Sequence, residues 1–237
     1  ELPLLSLAAS SKIVKDENDR TRDWAFKFAQ NDDLAAQQIA AELQADEHHT
    51  AAFLYSNDGF GKSGANVFRT VIEESVVLRL AADPQAFDPA MADPEAVIET
   101  VPEGVPALVI WGTAPGPALL VQAAKRARPE LQIYLSHGNA SPAFIESAGP
   151  AAEGAIVVGS RVLLPSNQLN DALPADKEVR QFQRFWAGKF GTPPSQFAGY
   201  ARDALTALIK VVGESEREGE RPTGRTVRDR LEKLTSF

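Results

Sequence analysis

Gly59-Phe60-Gly61-Lys62-Ser63-Gly64, read with the apolar run Thr50-Ala51-Ala52-Phe53-Leu54-Tyr55 ahead of it, decides the fold of this chain. The run spells G-x-G-x-x-G after a strand-like segment and at the opening of a helix-like one, which is the written form of a dinucleotide fingerprint. In that fingerprint the first glycine turns directly off the strand, so that the pyrophosphate sits on the helix N-terminus. Here Ser56-Asn57-Asp58 come between. The overlapping Gly61-Lys62-Ser63 resembles the end of a phosphate loop, but that motif needs a glycine where this chain has Ser56. The unit reads as strand, turn and helix, and the rest of the chain must say what the turn holds.

Outward from this unit the pattern repeats. Upstream, Asn31 is placed to cap a helix whose Ala35, Ile39 and Leu43 share one face. Downstream come Val76-Val77-Leu78-Arg79-Leu80, a Pro/Asp-rich loop from Asp83 to Pro94, a short helix near Ala96 to Thr100, and the run Ala107-Leu108-Val109-Ile110-Trp111. A helix with Leu119, Leu120, Ala123, Ala124 and Ala127 on one face leads to Leu131-Gln132-Ile133-Tyr134-Leu135, and a helix from Pro142 precedes Ala155-Ile156-Val157-Val158. Short apolar strands separated by helices predict an α/β lobe, a doubly wound parallel sheet with helices on both faces, from Asn31 to Val158.

After Pro165 the pattern changes to three amphipathic helices, marked by Val179, Phe182, Phe185 and Trp186, then Ala204, Leu205, Leu208, Ile209 and Val212, then Val227, Leu231 and Leu234. Outside the lobe, Leu4 to Leu7 is the one strand-like run. A second lobe of the same kind is expected, represented by that strand and its outer helices. The chain opens at Glu1 with no Met and almost at once in a strand-like run, so most of that lobe's sheet is expected to be encoded before it. Glu214 to Arg221 reads as a solvated loop between helices.

Composition removes several function classes. The 24 basic and 32 acidic residues give a net charge of −8, and no Lys/Arg stripe interleaves with aromatics, so nucleic acid is not the expected partner. No apolar run approaches the roughly 20 residues that span a bilayer. The absence of cysteine excludes disulfides and thiolate metal sites.

In open parallel sheets the ligand crevice lies beyond the carboxyl ends of the strands. Ser56 to Gly61, Gly112 to Pro115 and Ser136 to Asn139 all fall there, and their glycines and small polar residues let backbone amides face a ligand. His137 could serve as donor, acceptor or base. No partner for catalysis is visible in the sequence: G-x-S-x-G does not occur, and His48 and His49 lack a metal-binding spacing. Asp58 beside Gly59 reads as turn chemistry. Phe60, at what reads as an exposed loop tip, calls for a covering surface or ligand. Near the start, Ser6-Leu7-Ala8-Ala9-Ser10-Ser11 offers amides and hydroxyls that could receive a carboxylate, or an ordinary serine-rich turn. For the nucleotide alternative, Asp83 stands where an acid would meet the ribose of NAD.

Taken in order, these stretches resemble the periplasmic solute-binding proteins of ABC importers in the branched-chain amino acid family, of the type I binding-protein fold. The resemblance rests on Leu5-Ser6-Leu7-Ala8-Ala9-Ser10, Trp24 to Asp32, Asn57-Asp58-Gly59-Phe60-Gly61, Ala151-Ala152-Glu153-Gly154 and Phe197 to Ala204. It implies a non-catalytic clamp with no cofactor, formed by lobe 1 (1–28 and 162–237) and lobe 2 (29–161). A membrane permease is its implied partner, and its implied location is periplasmic or lipid-anchored outside the cell. It assigns the solute carboxylate to Ala8, Ala9 and Ser10, an aromatic cover to Phe60, and His137 to the position where amino-acid binders hold a glutamate for the ammonium. A neutral histidine cannot give a buried ammonium a fixed anion. With Gly112-Thr113 and Ser136-His137-Gly138, the pattern is similar to a branch that binds aromatic carboxylates. Branched-chain or other amino acids, and a receptor or sensor role for the same clamp, remain the alternatives.

Overall fold

The computed structural model describes every residue except Ala9, Glu17, Asp19 and 235–237, with the backbone alone at Ser11 and Lys12. Its strands are β1 (Leu4–Ser6), β2 (Ala25–Lys27), β3 (Thr50–Ser56), β4 (Arg79–Leu80), β5 (Gln85–Phe87), β6 (Ala107–Trp111), β7 (Gln132–Leu135) and β8 (Ile156–Val157). Its helices are α1 (Asp32–Ala45), α2 (Gly59–Glu74), α3 (Pro94–Glu99), α4 (Gly116–Ala127), α5 (Pro142–Ala148), α6 (Pro174–Phe190), α7 (Gln196–Arg217) and α8 (Gly224–Lys233). Two compact units result: unit 1 is Glu1–Gln30 with Ser160–Phe237, and unit 2 is Asn31–Gly159. The divisions fall at 30/31 and 159/160, against 28/29 and 161/162 implied by the resemblance.

Unit 2 is a parallel sheet in the order β4-β3-β6-β7-β8, with β5 also on β3. Every strand of it is parallel, with Leu54 opposite Ile110 and Ile110 opposite Leu135. Its central strands are apolar throughout because both faces are covered. Ala51, Phe53, Val109, Trp111 and Tyr134 point to one core with Ile39 and Leu43 of α1 and Phe68 and Ile72 of α2. Ala52, Leu54, Leu108, Ile110, Ile133 and Leu135 point to the other, with Leu120 and Val121 of α4 and Phe144 of α5. The expected doubly wound arrangement is the one observed.

Two details of unit 2 differ from the sequence reading. Val76 and Val77 are exposed and only Arg79–Leu80 is strand. The Ser75 hydroxyl accepts the Val77 and Leu78 amides at 3.3 and 3.0 Å, and this local turn outcompetes the β preference of two valines. The Pro/Asp-rich loop contains a strand, β5, whose Gln85, Ala86 and Phe87 lie opposite Leu54, Tyr55 and Ser56. The outer edge of β3 is therefore covered by two short pieces, β4 and then β5.

Unit 1 holds a second parallel pair, β1 and β2, with Leu5 opposite Phe26. The sequence reading gave only Leu4 to Leu7 as strand. β2 escaped because its residues are all half-buried, without the alternation that marks one covered face. The three amphipathic helices form as expected. Ala207 and Val211 of α7 meet Val227 and Leu231 of α8, with Leu5, Phe26 and Phe28 packed against them. Glu214 to Arg217 belongs to α7 rather than to a loop: the Ser215 hydroxyl donates to Val211 O, and Arg217 donates to Gly213 O at the carbonyl end of the helix. The helix stops before Gly219, whose φ of 74° turns the chain away. At the start of α6, Arg161 donates two bonds of 2.8 Å to Asp176. The Asn170 amide and this guanidinium hold the Asp176 carboxyl below its ordinary range, against the opposing effect of burial.

Candidate functional site

The G-x-G-x-x-G run becomes the first turns of α2. β3 extends through Ser56, so two residues, Asn57 and Asp58, separate strand from helix. Asp58 is the N-cap, its carboxylate accepting the Gly61 amide at 2.8 Å. That places a negative charge where a pyrophosphate would need to lie. Two of the three glycines have a packing reason instead, while a methyl on Gly59 would meet nothing within 4 Å. A methyl group on Gly61 would stand 1.9 Å from Ser56 O, and one on Gly64 would stand 2.2 Å from the Trp111 indole. The helix needs both positions bare to lie against the end of β3 and against β6.

Of the residues singled out in the sequence, unit 2 brings four to one edge. Gly138 is their common neighbour: a methyl on it would lie 2.7 Å from Gly112 O, 2.8 Å from the Phe60 ring and 3.1 Å from the Thr113 methyl. The loops are tied by side chains as well. The Ser136 hydroxyl lies 3.4 Å from Gly112 N and 3.2 Å from Gly112 O, and Asn139 Nδ2 donates to Gly112 O at 3.0 Å. Thr113 is exposed and Phe60 and Gly138 are half-buried, so these three form the rim, with Gly112 beneath.

Phe60 departs from expectation. It is not an exposed loop tip but part of the first turn of α2, and the protein itself covers it. Its ring centroid is 5.9 Å from that of Trp111 and 5.3 Å from that of His137, the latter edge-on at 84°. His137 lies behind this ring, 1% exposed, and also meets Trp111 edge-on at 5.7 Å. Its Nε2 is 3.6 Å from Asp32 Oδ1, and Asp32, fully buried at the start of α1, accepts the Ser63 hydroxyl at 2.8 Å through Oδ2. Sequence reasoning missed Asp32 and Ser63. Asp32-Asp33 looks like an ordinary acidic first turn, and Ser63 stands one turn into α2, where its inward face shows only through the Gly64 beside it.

In unit 1, Ala8 and Ser10 follow β1. Ala8 is exposed, and its amide donates to the Ser6 hydroxyl at 3.2 Å, so this amide turns into its own loop rather than standing unshielded. Ser10 is half-buried, and Ala9 lies outside the described residues. Unit 1 also contains a hollow of about 440 Å³ with Phe28, Val162, Phe182 and Tyr200 as apolar wall and Gln30 and Asp203 as polar wall. Burial pushes the Asp203 carboxyl up, against the pull of Arg202. Among the described residues no cluster of His, Asp or Glu is arranged to hold a metal, and no helix is long and apolar enough to cross a membrane.

A family model described as periplasmic binding protein matches residues 1–237. No curated protein matches the chain. Among solved structures, an extracellular ligand-binding receptor from Rhodopseudomonas palustris HaA2 is 21% identical, with a TM-score of 0.81 over 99% of this chain and 65% of its own. A leucine binding protein from Thermotoga maritima MSB8 is 16% identical, with a TM-score of 0.76 over 97% of this chain and 61% of its own. An ABC transporter substrate-binding protein from Desulfitobacterium hafniense is 21% identical, with a TM-score of 0.71 over 100% and 63%. Identities this low speak for the fold alone. The chain spans from 57% to 65% of the length of such solved relatives.

Proposed function

Because this chain belongs to the periplasmic binding protein family, we propose that it captures a small carboxylate, aromatic by preference, for an ABC importer, and hands it to a membrane permease from the periplasm or the outer cell surface. The observation that carries this reading is the edge of unit 2, where three glycine-bearing loops converge on Gly138 and present Phe60 and Thr113 at the surface. Backbone groups and one aromatic ring suit a planar apolar acid. The acids nearest this edge are already engaged, Asp58 as a helix cap and Asp32 with Ser63 and His137. Neither is free to neutralise an ammonium. We assign the carboxylate to the loop holding Ala8, Ala9 and Ser10, and solute contact in unit 2 to Phe60, Gly112, Thr113 and the His137 loop.

Binding suits these residues better than catalysis. The Ser63 hydroxyl donates a hydrogen bond to Asp32, and Asp32 lies beside His137, so among the described contacts this hydroxyl meets a carboxylate. Gly61 and Gly64 of α2 serve packing, and Asp58 disfavours a phosphate at that turn, which removes the main support for an NAD-dependent enzyme. Capture of a branched-chain amino acid is the second reading, favoured by the leucine binding protein among the solved relatives.

Calorimetry against benzoate, 3-phenylpropanoate and leucine separates the two. Micromolar or tighter binding of the aromatic acids with none of leucine is expected; tight leucine binding with no aromatic binding overturns the preference. A thermal shift with NAD and with none of the acids would overturn the binding-protein reading itself.

A further inference from the structure

We propose that Gly138 sets the shape of solute that unit 2 accepts. With no side chain there, Phe60 and Thr113 lie back against its loop and leave room for a flat ring, and a larger residue at 138 pushes both into that room. The effect on solute rests on the solute-binding reading; the hold of Gly138 on Phe60 and Thr113 does not.

The glycines of this edge divide by what surrounds them. A methyl on Gly61 or Gly64 would strike Ser56 O or the Trp111 indole, and one on Gly112 would lie 3.1 Å from the Phe87 ring and 3.2 Å from Pro117. Ser56, Trp111, Phe87 and Pro117 are all buried, so close packing of the interior accounts for these bare positions. Gly138 differs. Two of the three atoms nearest its missing methyl belong to side chains of the rim, a Phe60 ring carbon at 2.8 Å and the Thr113 methyl at 3.1 Å. Carbon atoms in contact rest roughly 3.5–4.0 Å apart, so an added methyl requires the Phe60 ring to retreat by about 1 Å and Thr113 by somewhat less.

What holds each neighbour decides which one moves. The third atom, Gly112 O at 2.7 Å, is backbone, and it accepts Asn139 Nδ2 at 3.0 Å and the Ser136 hydroxyl at 3.2 Å. It is fastened to the same loop that carries Gly138. Phe60 and Thr113 meet the methyl with the ends of side chains, one half-buried and one exposed, and these yield by rotation. The interior is closed to the ring. Its centroid is 5.9 Å from that of Trp111 and 5.3 Å from that of His137, and those residues are 0% and 1% exposed. Phe60 therefore gives way toward the surface, where the solute's ring would pack against it. Gly138 acts on specificity by the space it leaves, through Phe60 and Thr113.

The test has an arm without solute and an arm with it. In solute-free Gly138→Ala, isotope-labelled at its alanine methyls, NMR is expected to show the introduced methyl against the Phe60 ring and the Thr113 methyl. Both of those resonances, assigned with Phe60→Leu and Thr113→Ser, are expected to move from their wild-type positions. Gly138→Ala is also expected to lower the urea midpoint, and to lower it only about half as far when added to Phe60→Leu, which lacks the ring carbon in question. In the second arm, calorimetry on the full-length protein is expected to show benzoate weakened about tenfold or more by Gly138→Ala. Cyclohexanecarboxylate, whose puckered ring is thicker, is expected to weaken about threefold more than benzoate does. If the wild type binds only the flat acid, the loss of benzoate affinity decides alone. Circular dichroism checks folding; if Gly138→Ala does not fold, Gly138→Ala/Phe60→Leu is expected to, and carries the Thr113 readout.

Phe60 and Thr113 resonances that stay in place in a folded Gly138→Ala overturn the hold of Gly138 on the rim. So does an equal midpoint loss in the two backgrounds, or failure of both variants to fold, either of which would make the Gly112 carbonyl the reason for the glycine. Unchanged benzoate affinity, or equal weakening of the two acids, overturns the specificity role. Failure of either acid to bind the wild type, with the solute-free results as expected, overturns the aromatic-carboxylate reading and leaves the hold of Gly138 on Phe60 and Thr113 standing.

Discussion

Unit 2 and unit 1 bury their apolar residues by different means. In unit 2 the strands β3, β6 and β7 are covered on both faces, and Leu108, Val109, Ile110, Leu120 and Ile133 are fully buried. In unit 1 the described core cluster is small, Ala207, Val211, Val227 and Leu231 with half-buried neighbours, and Val162, Leu169, Ala198 and Tyr200 are buried outside it. Its helices leave large side chains in the open: Phe185 and Phe190 on α6, and Phe197, Leu205 and Ile209 on α7. The difference shows where apolar content turns into stability. A strand residue inside a doubly covered sheet loses all its water, whereas one face of an amphipathic helix contributes only as far as something lies against it.

Four substitutions test this contrast, beginning with the largest effect. Leu108→Ala, at the centre of unit 2, should cost about 3 kcal/mol or more by urea unfolding, since a cavity adds to the lost transfer energy. A loss under about 1 kcal/mol would mean that unit 2 repacks freely and the contrast fails. Gly64→Ala should cost about 1–3 kcal/mol, because its methyl would collide with the Trp111 indole, and the Trp111 fluorescence should change with it. Asp58→Ala removes the cap of α2 and should cost about 1 kcal/mol. If the same variant gains affinity for inorganic phosphate or NAD, the nucleotide reading returns. Ile209→Ser, on the open face of α7, should change unfolding by no more than about 0.5 kcal/mol. A cost above 2 kcal/mol would show that this face is covered in solution, and the two units would then be alike.

The sequence made unit 2 legible because a run such as Ala107 to Trp111 has no polar position to spare, and only a strand covered on both sides tolerates that. The helices of both units were legible from their spacing. Weaker signals failed in recognisable ways. β2 is short and half-buried, and β5 lies in a Pro/Asp-rich stretch where turn composition hid three strand residues. Val76 and Val77 had the right composition for a strand and lost to one serine hydroxyl. At the candidate site, the three loops could be placed on one edge by the rule that governs open parallel sheets. The Asp32–His137 contact could not, because its partners lie far apart in the chain and neither has a neighbour that announces it. Phe60 was legible as an unusual residue and misjudged in its cover, since Trp111 and His137 reach it only once the sheet is assembled.

The divided edge of β3 has a consequence for how this molecule behaves at high concentration. A sheet this rich in valine, isoleucine and leucine would be a strong template for strand addition if it ended in a long bare strand. One border is instead taken by β4 and β5, two and three residues long, with Ala81, Ala82, Asp83 and Pro84 between them, and the other border by β8, two residues long. Neither offers a foreign chain enough consecutive amides and carbonyls to pair with. The apolar sheet of unit 2 thus ends in short borders that give aggregation little to build on.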